Sequence, residues 1–228
     1  MIANKKKFYT GLFGLLSFFV LLGVMFTPIF DGKNALAYAD ELFNSVSKDS
    51  AYQVPDLLEE AAEHQGTAVN VTIKMDSAAQ ADQTALLYRQ AGAEAETSEA
   101  KLTVRGDLAM IAQGVLADAD LMHQNDGAAV VAKYGYDEKR VMYNWWMSFD
   151  KMGKDLEKQG LKDEKKFVQE VKENAIEPAY NFYQIEAKSM SSKMGVVAFA
   201  LVFYVVYTVW YGFSLMYMFE GWGLAAKH

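Results

Sequence analysis

Between Met194 and Phe219 the chain runs for 26 residues without an Asp, Glu, Lys, Arg or His. Wound as an α-helix at about 1.5 Å per residue, that run reaches roughly 39 Å, enough to cross a hydrocarbon core of about 30 Å with some tilt. A second charge-free run, Phe8–Phe30, lies near the N-terminus, and the residues between the two are polar and acidic. The pattern predicts a hairpin of two transmembrane helices, 8–30 and 194–219, carrying one water-facing domain of residues 31–193. Short tails, 1–7 and 220–228, are left at the cytoplasmic side.

Composition narrows what that domain does. The 228 residues average a mean hydropathy of -0.04, a blend of two greasy segments and a solvated middle. Residues 31–193 carry 28 Asp and Glu against 18 Lys and Arg, a net charge of -10. Phosphate recognition needs clustered cations, so an acidic domain argues against nucleic acid and against lying flat on anionic lipid. The chain has no cysteine, which removes disulfides, thiolate metal sites and thiol nucleophiles.

Lys5, Lys6 and Lys7 precede the first apolar run and favour a cytoplasmic N-terminus. A cleaved signal peptide is the alternative, with Ala35-Leu36-Ala37 or Ala37-Tyr38-Ala39 as small-residue cleavage sites. The apolar run of 23 residues exceeds the usual hydrophobic core of a signal peptide, about 7–15 residues, which favours an uncleaved anchor. Either way the middle domain is exported. Lys188 and Lys193 before the second run pull mildly the other way, but the first helix usually dominates. The expected location is the cell (inner) membrane, two-pass, with the domain on the extracytoplasmic side.

Along the domain, Leu36, Ala39, Phe43 and Val46 recur at helical spacing, and Pro55 opens a further helix with Asp56 near its positive end. Val69, Val71, Ile73 and Met75 alternate with polar neighbours, as in a half-buried strand. Ser77 and Gln80 have capping-box form and open a helix ended by Gly92. Short strands are expected at 93–97 and 100–105, turning at Ser98-Glu99. Asp107 then caps a helix striped by Leu108, Ile111, Val115, Ala119 and Met122. The result is a three-stranded βαββα module, residues 67–124, with two helices on one face. Its element order is similar to that of ferredoxin-like domains and of the ring-building modules of membrane-anchored secretion and flagellar ring proteins. The likeness is one of order alone. Residues 128–193 read as helical, with Phe182, Ile185 and Ser189 continuing a helix into the second span. The fold class is therefore an α+β membrane protein with a mostly helical extracytoplasmic domain.

Candidate functional residues fall into two groups. Thr10, Gly14 and Ser17 share one face of the first span, with Gly11 beside them. Tyr204, Tyr207, Thr208, Tyr211 and Ser214 gather on one side of the second. Small residues let membrane helices approach closely, and hydroxyls in lipid need protein partners. These faces are expected to pack on each other or on a helix of another subunit. In the domain, Trp145 and Trp146 offer a stacking platform for a ligand or simply core.

Other chemistry is thin. Glu60 with His64, and Asp120 with His123, are spaced as helical metal-ligand pairs, though solvated surface is the commoner use of such residues. Neither span holds an ionisable residue, and no P-loop, dinucleotide fingerprint or zinc-protease motif occurs. The sequence thus predicts no enzyme and no cofactor of its own. It predicts an accessory or structural subunit of a cell-envelope complex, with a respiratory assembly as one plausible host. Its partners would be other membrane subunits, or copies of itself, and the lipid bilayer. A self-associating ring scaffold, or a ligand-binding sensor acting through a partner, are the alternatives.

Overall fold

The computed structural model describes residues 2–224. By their contacts they divide into two units, Met1–Val46 with Lys188–His228, and Ser47–Ala187. In the first unit Asn4 caps α1 (Lys5–Met25), its Oδ1 accepting the Lys7 backbone N–H at 3.1 Å. The helix stops five residues before the apolar run does, because Pro28 disfavours helical backbone at Thr27. Asp31 and Gly32 then take left-handed backbone, and Phe30 and Lys33 exchange backbone hydrogen bonds at 2.9 and 3.0 Å. Asn34 opens α2 (Ala35–Ser50), which runs from the first unit into the second. The long apolar helix, written α10 below, spans Met190–Trp222 and is closed by Gly223 at φ +90°. It takes in Lys193 and Glu220, so it exceeds the charge-free run at both ends. Lys227 and His228 lie outside the described residues.

The second unit is mostly helical around one small sheet. In chain order it holds α3 (Val54–Glu63), β1 (Ala68–Lys74), α4 (Ala78–Gln90), β2 (Glu94–Ser98), β3 (Lys101–Asp107) and α5 (Leu108–His123). Then follow α6 (Gly127–Tyr134), α7 (Glu138–Lys158), α8 (Lys162–Val171), a π turn (Lys172–Ile176) and α9 (Glu177–Asn181). The strands lie in the order β1-β3-β2, both pairings antiparallel, with Val71 and Ala95 flanking Val104. Alternation does the sorting: Val69, Val71, Ile73, Leu102 and Val104 are buried, while Asn70, Thr72, Lys74, Lys101 and Arg105 face out. The hairpin between β2 and β3 turns at Glu99, whose φ of +52° is unusual for a residue other than glycine.

Helices α4 and α5 pack on this sheet, and α7 joins them against β1 and α4, a third cover beyond the two helices expected. The last helix also guards an edge. Lys151, Asp155 and Gln159, one turn apart on α7, bond Lys74 O, Thr72 N and Asn70 O, the outward backbone groups of β1. On the opposite edge Arg89 grips Ala95 O through Nε at 3.0 Å and Nη2 at 2.6 Å. Side chains at these points occupy backbone groups that another strand would otherwise pair with.

The core holds a buried carboxylate. Asp118 on α5 is fully buried and accepts three hydrogen bonds: Trp145 Nε1 at 2.8 Å, Tyr134 hydroxyl at 2.6 Å and Lys133 Nζ at 2.8 Å. Burial, and then the Asp118 charge, push the Tyr134 hydroxyl far above the ordinary tyrosine range. The seam between α4 and α7 is polar as well. Gln80 Nε2 donates to Asn144 Oδ1 at 3.1 Å, and Tyr88 donates to Ser148 Oγ at 3.0 Å. Hydrogen bonds at these sites offset the cost of taking the groups out of water.

One expectation fails. The helix does not continue through Phe182, Ile185 and Ser189 into the long apolar helix: α9 ends at Asn181, and the chain from Phe182 to Ser189 is turn and irregular backbone. Gln184 takes φ +67°, and the Asn125 side chain captures its N–H and the Ile185 carbonyl, bonds a helix would have used.

The core carboxylate sets a stability test. Asp118→Ala leaves a tyrosine hydroxyl and an indole N–H buried without their acceptor and is expected to cost about 3–5 kcal/mol. Lys133→Ala removes the one donor that is partly exposed and should cost less, about 1–3 kcal/mol. Urea unfolding of the detergent-solubilised chain, followed by tryptophan fluorescence, reads both.

Candidate helix-packing site

The two apolar helices run antiparallel and touch along much of α1. Three glycines set their spacing. A Cβ on Gly11 would lie 2.5 Å from Met218 N and 2.6 Å from Ser214 O, and one on Gly14 would lie 2.5 Å from Ser214 Oγ. At the far end a Cβ on Gly221 would run into the Phe8 backbone. Backbone therefore lies against backbone at the crossing, which only a residue without a side chain permits.

Polar groups finish the contact. Trp210 Nε1 donates to Gly14 O at 3.1 Å, across the pair. Ser17 Oγ donates to Gly14 O at 2.9 Å, and Ser214 Oγ to Trp210 O at 2.7 Å. Asn4 N–H reaches Gly221 O at 2.9 Å, and Lys7 pairs with Glu220 at 2.7 Å. Toward Met25, Phe18 stacks on Tyr207 with ring centroids 4.2 Å apart and meets Tyr211 at 4.9 Å. Beside the crossing runs an apolar groove of about 280 Å³ between Thr10, Phe13 and Ser17 on one helix and Trp210, Phe213 and Tyr217 on the other.

The residues singled out in the sequence divide by position. Gly14 and Ser214 meet at the crossing, Ser17 and Tyr207 are half-buried beside it, and Thr10, Tyr204, Thr208 and Tyr211 are exposed. Thr208 satisfies its own hydroxyl on Tyr204 O at 2.7 Å. The Tyr207 hydroxyl is shielded and has no hydrogen-bond partner among the described residues.

In the other unit, Trp145 is fully buried, edge-on to Tyr88 and Phe149. Trp146 is half-buried, stacked on Tyr143 and donating from Nε1 to Glu177 at 2.9 Å. His64 lies against the Phe167 ring at 4.3 Å, while burial and a hydrogen bond with Glu170 hold Glu60 above the usual carboxylate range. Asp120 accepts from the Tyr52 hydroxyl at 2.7 Å, which pushes that hydroxyl up to about 12. Among the described residues no three His, Asp or Glu side chains converge as metal ligands.

No family model, no curated protein and no solved structure matches this chain.

The geometry of the helix pair is thus the strongest feature from which to argue. Sequence reasoning set Gly11 to one side and passed over Phe18, Trp210, Met218 and Gly221. Spacings of three and four residues find them: 11, 14 and 18 on α1, and 207, 210, 214, 218 and 221 on α10. The hydroxyl stripe was a weaker guide, because a hydroxyl on a helix can bond the carbonyl one turn back.

The absence of native cysteine makes the pairing easy to read. With Phe18→Cys and Tyr207→Cys in one chain, oxidation should form an intramolecular disulfide in membranes. Adding Gly11→Leu is expected to cost about 1–3 kcal/mol through the backbone clash, or roughly 5- to 150-fold in the paired population. Gel mobility with and without reductant measures it.

Proposed function

We propose that this chain is a non-catalytic, membrane-anchored accessory or structural subunit of a multi-subunit cell-envelope complex, with α1 and α10 as its membrane spans. The observation that carries the reading is the outer surface of the pair. Phe13 is 75% exposed, Phe199 69% and Val202 64%, and Leu16, Phe19, Val20, Leu201, Val205 and Val206 are exposed beside them. A face so large and so apolar is unfavourable in water and favourable in hydrocarbon. Both helices combine adequate length with a mean hydropathy of 2.0 over their most apolar stretch.

The antiparallel pairing returns the C-terminal end of α10 to the N-terminal end of α1, beside Lys5, Lys6 and Lys7. Lysines at a helix start favour the cytoplasmic side, which sends Ser47–Ala187 to the extracytoplasmic side. There its acidic surface and polar exposed sheet face suit protein partners. The groove beside Gly14, and the exposed tyrosines of α10, suit contact with further apolar helices, from other subunits or from copies of this chain. A respiratory complex is one host of this kind, its redox groups held by other chains.

Two measurements test the reading. The intact chain should stay in the membrane pellet through alkaline carbonate, and release into the wash refutes the anchor. In mild detergent it should elute well above its own 25.5 kDa with unlike chains attached. A single-component oligomer would favour the ring scaffold, and a detergent-bound monomer would refute both.

A further inference from the structure

The segment Phe182–Ala187 is a strap of irregular chain at the end of the second unit; Tyr183 packs on the core and hydrogen-bonds Glu138, and one polar cluster holds Gln184 and Ile185. Asn125 is the hub: its Oδ1 accepts the Gln184 N–H at 2.8 Å and its Nδ2 donates to Ile185 O at 3.0 Å. Lys48 completes the bracket, its Nζ donating to Ile185 O at 2.6 Å and to Asn125 Oδ1 at 2.7 Å. Lys48 is 1% exposed, and both of these acceptors are neutral. An ammonium buried against neutral oxygens is held less firmly than one facing a carboxylate. Strain gathers at the same point, since Asn125 and Gln184 both take left-handed backbone, at φ +62° and +67°. Such backbone persists only where its surroundings enforce it.

His123 stands two residues before this hub, its ring 4.3 Å from that of Tyr52. The charged groups that reach it are Lys48 and Asp49 from α2 and Asp120 from its own helix. Asp120 is already engaged by Tyr52 and by Gln124, at 2.7 and 2.8 Å. Toward the π turn and α9, His123 borders a small cavity of about 10 Å³ whose lining there, Asn174, Ala175, Pro178 and Ala179, brings no charge.

We propose that His123, Lys48 and Asn125 form a proton-operated latch on the strap: a proton taken up by His123 sets a second cation beside the Lys48 ammonium and frees Ile185. Burial, and then the Lys48 charge, hold His123 below the ordinary histidine value, and Asp120 and Asp49 oppose this only in part. Opening the strap releases Lys48 toward water and lifts its charge from His123, whose proton affinity rises, so opening takes up a proton. The closed strap is then favoured at neutral pH. Its opening constant should rise as the pH falls below about 6.5, by at most about tenfold per pH unit, levelling off once the closed state is also protonated. The latch stands independently of the membrane reading.

Amide hydrogen exchange of the full chain in detergent micelles, from pH 8 to pH 5 and corrected for intrinsic rates, tests it. The Gln184 amide should lose protection along that slope while the amides of β3 and the first turns of α5 hold theirs. His123→Gln, at a half-exposed position, should remove the slope, and Asn125→Ala should leave the strap open throughout. Flat protection in the unsubstituted chain overturns the latch. So does an unchanged slope in His123→Gln, or a strap still protected in Asn125→Ala.

Discussion

Gly11 decides how near the two apolar helices can come, and much of the first unit depends on that distance. With a side chain there, the Met218 N–H and the Ser214 carbonyl would be pushed away. The Trp210 indole would then fall short of the Gly14 carbonyl, and the Ser17 hydroxyl would share that carbonyl with nothing. Close approach is worth most in a solvent that gives helices no hydrophobic reason to associate. In lipid, packing and hydrogen bonds across the contact are what remain. The ion pair of Lys7 with Glu220, and the bond from Asn4 to Gly221, then fix the register at the end where α1 begins.

The second unit meets the opposite problem. Its apolar sheet face and helix stripes collapse on one another into a core, and polarity inside that core has to be justified group by group. Asp118 is the extreme case. Burying its side chain carries a desolvation cost, which three donors from α6 and α7 converge to offset. An apolar residue there would tolerate many rotations of α7 about its axis. Trp145 bonded to Asp118, and Asn144 bonded to Gln80, tolerate one. The same rotation aims Lys151, Asp155 and Gln159 at the open edge of β1, so one helix orientation serves core and edge together.

How much of this was legible follows from where each signal resides. Strand alternation at Val69–Met75 and the Asp107 cap are local, and the sequence reading placed those elements within a residue or two. The charge-free runs identified both apolar helices, because one missing residue class over some two dozen positions is hard to mistake. The crossing was less legible. Hydroxyls drew attention to Tyr204 and Thr208, yet the contact is governed by where side chains are absent, at Gly11 and Gly221. The strap was illegible. Nothing near Gln184 marks a break, since the residue that ends the helical path is Asn125, some sixty positions earlier and close only in the folded chain.

That remote capture has a consequence for how the chain leaves its second unit. A continuous helix from α9 onward would have been a stiff rod, stabilised residue by residue along its own backbone. Beyond Tyr183, which packs on the core, the strap instead takes its order at Gln184 and Ile185 from two side chains, Asn125 and Lys48, whose bonds converge there. Stability concentrated in so few bonds is lost in one step when they open, whereas a helix frays gradually from its ends. The left-handed backbone at Gln184 adds to the step, because strain held by those bonds is released along with them. The proposed latch would act at such a point, since one added charge there bears on the bonds that set the backbone order at Gln184 and Ile185.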